Sequence, residues 1–326
     1  MKRPRRFFKS WLGGDIKVYL ALKRAMGRKY LGEESTLRYL DRFVAQHFPF
    51  AKDLSVSILE AWIAASRLQP YSRATQLVRV RQFCLYRQRT SPNAFVPDRH
   101  QHRTLWPHHV PRRLPIILSK NDVRRLLRAA LALPERPGSR RRRETFFTIL
   151  LVLYTTGLRR SEAARLRIGD VDVDAGTLLV RETKFFKTRL VPVAADVLKH
   201  LRRYVKTMRP SGTSATAEQP LFQISGRGCS ATAITHTGAN LLRACGLKPE
   251  SGPGGARVHD LRATFAVHRI ASWYAEGEDV QSKLPALATY MGHKNIISTQ
   301  HYVAVTGELL KHAAGRFEMA CAPRKG

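Results

Sequence analysis

Acidic side chains are scarce in this chain of 326 residues: 24 Asp and Glu stand against 57 Lys and Arg, a formal charge of +33. Cysteine is nearly absent. Four residues, Cys84, Cys229, Cys245 and Cys321, lie far apart with no CxxC pair, which excludes a disulfide framework and a cysteine zinc site. Long apolar runs are missing too. The longest, Phe146 to Tyr154, is interrupted by Thr148, far short of the ~20 residues a membrane span needs. The opening MKRPRRFFKSWLGG has a basic head but no apolar stretch behind it, so it makes a poor secretory signal. These absences point to a reduced chain in the cytoplasm.

Apolar residues make up 44% of the chain. That is enough for packed cores and excludes a disordered polycation. The length suggests about two domains. Residues 1–112 carry 22 basic and 7 acidic side chains, and residues 113–326 carry 35 and 17. Both halves are strongly positive, so a polyanion touching both is the partner the charge asks for, and nucleic acid is the usual one. A solubility surface explains the charge less well, because self-repulsion on this scale is costly without a counter-charge. An anionic membrane fits less well again, since no segment pairs a basic face with a strong apolar one.

Periodicity predicts helices over 15–31, 33–48, 55–66 and 72–89, the last with Ala74, Leu77, Val80 and Cys84 on one stripe and Ser72 as N-cap. Together they read as a small helical bundle. From about residue 90 the chain gains Pro92, Pro97, Pro107, Pro111 and Pro115 and four histidines, His100, His102, His108 and His109. Proline marks this stretch as a linker, and without cysteine or an acidic cluster the histidines read as solvated rather than as metal ligands. Ser119 caps a predicted helix to Leu133, and Glu144–Thr156 reads as a buried helix. Short strands follow at Val171–Val173, Thr177–Glu182 and Arg189–Val193. Further helices are expected over 194–208, 231–245, 259–276, 280–291 and 307–320. The fold class expected is mainly α with a small antiparallel β-sheet, divided into a helical domain at 1–112 and a second domain at 113–326.

Four local patterns carry chemistry, and each has an ordinary structural explanation. In TGLRRSE, a glycine ends a buried helix and Arg159 and Glu162 start the next, three apart on one face. That is a surface ion pair or a phosphate site at a helix start. Lys184 sits in a turn between two strands, either solvated or a mobile proton donor. In HDLRATF, His259 and Arg262 stand side by side, a cationic fork suited to an oxyanion or merely a helix start with a backbone-binding arginine. In TYMGH and TQHYV, a Gly-His turn holding His293 precedes Tyr302 by nine residues. A tyrosine there is either core packing or a nucleophile.

No single pattern decides, but their order does. Arginine, β-turn lysine, HxxR, Gly-His and tyrosine in succession resemble the tyrosine recombinase (phage integrase) family over about residues 119–320. LPALATYMGHKNIISTQHYV is similar, more narrowly, to transposon-borne recombinases encoded as neighbouring genes. The helical first domain resembles that family's core-binding domain. The resemblance implies a site-specific enzyme that cuts and rejoins DNA through a 3′-phosphotyrosyl bond to integrate, excise or transpose a mobile element. It implies Arg159 and Arg262 as phosphate-binding arginines, Glu162 as support for Arg159, and Lys184 as general acid with Lys187 as its rival. It further implies His259 as base, His293 as hydrogen-bond donor and Tyr302 as nucleophile, with no cofactor and no metal. The implied partners are double-stranded DNA and other protomers in a tetramer on two sites, neighbouring-gene recombinases among them. The implied location is the nucleoid. An apolar stripe at Leu309, Ala313, Phe317 and Ala320 is expected to dock on a neighbouring subunit or on its own domain. A type IB topoisomerase-like enzyme and a non-catalytic DNA-binding protein are the alternatives.

Overall fold

The computed structural model describes residues 8–106, 113–135, 139, 141–181, 188–208, 216–252, 254–293, 295 and 299–300. Lys184, Lys187, Tyr302 and the stripe from Leu309 to Ala320 lie outside the described residues. The chain divides into two compact units between Arg113 and Leu114.

The first unit holds four helices: α1 (Gly13–Ala25), α2 (Leu31–His47), α3 (Val56–Ala64) and α4 (Pro70–Arg87). Their apolar faces meet in a core containing Ile16, Leu37, Leu40, Leu59, Trp62, Leu77 and Phe83. Two boundaries differ from the periodicity. α1 stops at Ala25 because Gly27 takes a left-handed φ of 77°, which ends helices cheaply only at glycine. α4 begins at Pro70, not after Ser72, with Gln69 as the N-cap. Proline suits a first turn because its missing N–H has no helical partner there. Residues 94–106 are not a bare connector. Leu105 and Trp106 are buried in this core, and the Phe95 N–H donates to Asp53 at 2.6 Å. Arg87 locks the same corner, donating to Asp53 at 2.6 Å and to Asp15 at 2.8 Å. His102 takes part as well: its Nδ1 accepts from the Asp98 N–H at 2.8 Å.

The second unit is built round α6 (Arg142–Thr156), which follows α5 (Lys120–Leu131). Ser119 and Asp122 cap α5 reciprocally. α6 is buried on most faces, as its continuous apolar composition requires. Two of its threonines bond within the helix: Thr148 donates to Glu144 O at 2.7 Å and Thr156 to Val152 O at 2.6 Å. After a short helix α7 (Arg160–Ala163) comes an antiparallel sheet of β1 (Val171–Asp172), β2 (Thr177–Val180) and β3 (Arg189–Pro192), in that order. Leu178 faces Val191 and Val180 faces Arg189 across β2 and β3. Leu178, Val180 and Val191 are buried, which sets the register. α8 (Ala195–Met208) packs on α6 through Leu201 and Tyr204. A hairpin of β4 (Gln223–Ile224) and β5 (Arg227–Gly228), which periodicity does not predict, leads to α9 (Ala231–Ala244). α10 (Asp260–Ala275) lies against α6, and α11 (Val280–Met291) packs on α10 through Phe265, Ile270, Leu284 and Met291. The fold class is mainly α with small antiparallel sheets. No helix among the described residues is long and apolar enough to cross a membrane.

Candidate active site

Two glycines shape the ground on which the site is built. Gly157 ends α6 at φ 61°, and a Cβ there would lie 2.5 Å from Phe265 Cδ1. Gly292 ends α11 at φ 68°, and a Cβ there would lie 2.7 Å from Arg189 Nη1. Both positions combine a left-handed backbone with a close neighbour, so only glycine fits without strain. The α6 end, the start of α10 and the α11 end thereby meet.

Three arginines converge on the last carbonyls of α11. Arg189 Nε donates to Tyr290 O at 3.0 Å, Arg262 Nη2 to Met291 O at 2.7 Å, and Arg159 Nη2 to Gly292 O at 3.1 Å. A helix C-terminus carries unsatisfied carbonyls and a partial negative charge, so guanidinium groups are held there favourably. Arg262 also donates to Gly157 O at 2.5 Å, tying the α6 end to the same point.

Glu162 is the carboxylate of this cluster. Its side chain is 1% exposed, and it accepts from the Arg159 N–H at 3.0 Å and from Arg159 Nη1 at 2.7 Å. Arg189 adds two more donors, at 2.9 and 3.4 Å. Burial pushes the Glu162 carboxyl up, but the hydrogen bonds and charges of Arg189 and Arg159 outweigh that and hold it below the usual carboxylate range. Two guanidinium groups therefore pair with one carboxylate, and with Arg262 nearby on the carbonyls of Gly157 and Met291 the cluster carries excess positive charge. Of the two explanations for this helix start, the ion pair between Arg159 and Glu162 is present, although Glu162 is buried rather than on the surface. α7 has only four residues, and Glu162 itself takes the N–H of Arg159.

His293 follows Gly292 directly. Its backbone N–H closes the helix on Ala288 O at 2.9 Å, and its Nδ1 shares a 2.7 Å hydrogen bond with the hydroxyl of Thr299, which is fully buried. Burial first, then the charges of Arg262, Arg159 and Arg189, lower its pKa to about 4. The ring is neutral at physiological pH. His259 occupies the N-cap position of α10 without a capping hydrogen bond from its side chain, and the residue is exposed. Desolvation against the protein and the Arg262 charge lower its pKa too.

The structure thus gathers Arg159, Glu162, Arg262 and His293 in one place, with His259 at the head of the helix that carries Arg262. Arg189 and Thr299 also belong there, and neither emerges from motif spacing. The one local signal for Arg189 is a charge at the start of the otherwise apolar strand LVPV. Among the described residues no group of His, Cys, Asp and Glu is arranged to hold a metal ion.

Residues 117–308 match the model of the phage integrase family. The chain is 35% identical over 309 residues to y4rB of Sinorhizobium fredii, a protein named as an integrase/recombinase, covering 93% of this chain and 96% of that one. The chain belongs to the phage integrase family. It is also 30% identical to the tyrosine recombinase XerA of Thermococcus kodakarensis, across 85% of this chain and 87% of that one. The fold matches the Tn1549 transposon integrase solved with transposon right end DNA, at a TM-score of 0.64 and 16% identity, covering 94% of this chain and 99% of that one. A lambda integrase tetramer bound to a Holliday junction shares the fold at a TM-score of 0.62 and 14% identity, over 89% of this chain and 76% of that one.

Proposed function

We propose that this integrase-family chain cuts and rejoins DNA at a cluster formed by Arg159, Arg262, His293 and the nucleophile Tyr302. Membership of the family makes it an enzyme of site-specific DNA recombination. The observation that carries the proposed chemistry is the anchoring of Arg159 and Arg262 on the neighbouring carbonyls of Gly292 and Met291, immediately before His293. Two fixed guanidinium groups suit the non-bridging oxygens of a phosphodiester, where charge grows in the transition state.

The Tyr302 oxygen attacks phosphorus and gives its proton to His259. The new bond is a 3′-phosphotyrosyl ester, and the bond to the 5′-oxygen breaks. Lys184, or its rival Lys187, donates the proton that this oxygen takes up. Neutral His293 donates a hydrogen bond to the phosphate from Nε2, which requires that the Thr299 hydroxyl donate to Nδ1. Glu162 holds Arg159. The covalent ester conserves the phosphodiester energy, so religation is the reverse reaction on another 5′-oxygen.

DNA and further protomers are the partners. A tetramer on two DNA sites, with neighbouring-gene recombinases among its members, serves the movement of a mobile element at the nucleoid in the cytoplasm. The charge of both units supports DNA as the shared ligand.

A nicked suicide duplex tests the chemistry. The wild-type chain is expected to become covalently attached, and Tyr302→Phe is expected to bind the duplex with similar affinity yet form no adduct. Adduct in the variant would move the nucleophile elsewhere. Relaxation of supercoiled DNA without joining of two sites would favour the topoisomerase-like alternative.

A further inference from the structure

Glu162 poses an electrostatic problem for the site. It binds Arg159 through both the backbone N–H and Nη1, so the two residues alone would form a neutral pair. A neutral pair attracts an incoming phosphate only weakly, because the carboxylate field cancels the guanidinium field. Yet Glu162 cannot simply be omitted, since it fixes the backbone and the side chain of Arg159 together.

Arg189 resolves this. It reaches Glu162 with Nη2 at 2.9 Å and Nη1 at 3.4 Å, and its Nε is committed to Tyr290 O at 3.0 Å. The side chains grade inward: Arg159 is 25% exposed, Arg189 13% and Glu162 1%. Arg159 is therefore the outer cation, and Arg189 stands behind it on the buried carboxylate. Its place also depends on Gly292, where a Cβ would lie 2.7 Å from Nη1. The strand pairing of Arg189 with Val180 delivers it from β3.

We propose that Arg189 is the counter-ion of Glu162, leaving the charge of Arg159 available to the scissile phosphate. This rests on the recombinase reading above and gives Arg189 a positioning role, not a contact with substrate. Arginine suits it because the fork must satisfy a carboxylate and a carbonyl in different directions, which an ammonium group does poorly.

The test uses full-length protein, single-turnover adduct formation on the suicide duplex at saturating enzyme, and DNA affinity measured in parallel. Arg189→Gln is expected to slow adduct formation by about ten- to a hundredfold, since one charge is lost behind the phosphate. Arg189→Lys keeps the charge and is expected to be clearly faster than Arg189→Gln. The decisive variant is Arg189→Gln with Glu162→Gln, which restores the charge balance while removing a second set of polar contacts. It is expected to cleave faster than Arg189→Gln alone. If the double variant is slower than the single one, or Arg189→Lys is as slow as Arg189→Gln, Arg189 acts through shape alone and the proposal falls. Binding of inorganic phosphate to the DNA-free chain, referenced to Arg159→Gln, reads the same charge without chemistry. Should wild-type protein form no adduct, the recombinase reading fails, while the order of phosphate affinities still decides the role of Arg189. An order that does not follow net charge overturns it.

Discussion

His293 Nδ1 and Thr299 Oγ1 lie 2.7 Å apart, and Thr299 is completely buried. One ring nitrogen is thus committed to the protein, in a ring that burial first, and then three arginine charges, keep from protonating. The folded ring titrates near 4 against an ordinary 6.5. Between those values the unfolded chain binds more protons than the folded one, so stability is full above about pH 6.5 and falls as the pH drops towards 4. The loss is at most about 3 kcal/mol, because the imidazole is only partly buried. Urea midpoints at pH 7 and pH 5 should differ more for wild type than for His293→Gln. Equal pH dependence would show that His293 titrates normally.

Gly157→Ala should destabilise the second unit. The left-handed backbone and the approach of Phe265 Cδ1 together cost roughly 2–4 kcal/mol. Chemical denaturation measures it. A loss below that range would mean the α6 end relaxes freely, and the Arg262 bond to Gly157 O would then be a weak constraint.

The proposed general acid is Lys184, with Lys187 as its rival, both in the sequence between β2 and β3. Lys184→Ala should cleave an ordinary duplex about 10²–10⁴-fold more slowly. A duplex with sulfur in place of the bridging 5′-oxygen needs no proton, so the variant should recover most of its rate there. Arg159→Ala should not recover, because charge stabilisation is still required. Rescue of Lys187→Ala and not of Lys184→Ala would assign the proton to Lys187.

DNA affinity should fall steeply with salt. A protein making many phosphate contacts loses about a thousandfold or more between 50 and 200 mM salt, and both halves of this chain are strongly basic. Binding titrations across that range check it, and a flat response would remove DNA as the explanation of the charge.

Helix positions, the three-stranded sheet and the capping of α5 were legible because each depends on a local pattern: an apolar period, a turn glycine, a Ser-x-x-Asp start. The hairpin of β4 and β5 was not, since two-residue strands leave no period to read. The spacing of Arg159 and Glu162 does bring them together, but as a helix cap and an ion pair: Arg159 stands outside α7 with extended backbone. That Glu162 turns back onto the N–H of Arg159 was not legible, because it depends on what neutralises the buried carboxylate, and Arg189 arrives from β3.

Composition and order alone determined the partner class and the family: charge needs no fold to be counted, and TGLRRSE, HDLRATF and TYMGH need no coordinates to be ordered. Tertiary structure alone decided what those residues do to one another. Arg159, Arg189 and Arg262 come from three distant segments and find three successive carbonyls at the end of α11. Their charges add there, and on His293, only because packing removes the water that would screen them.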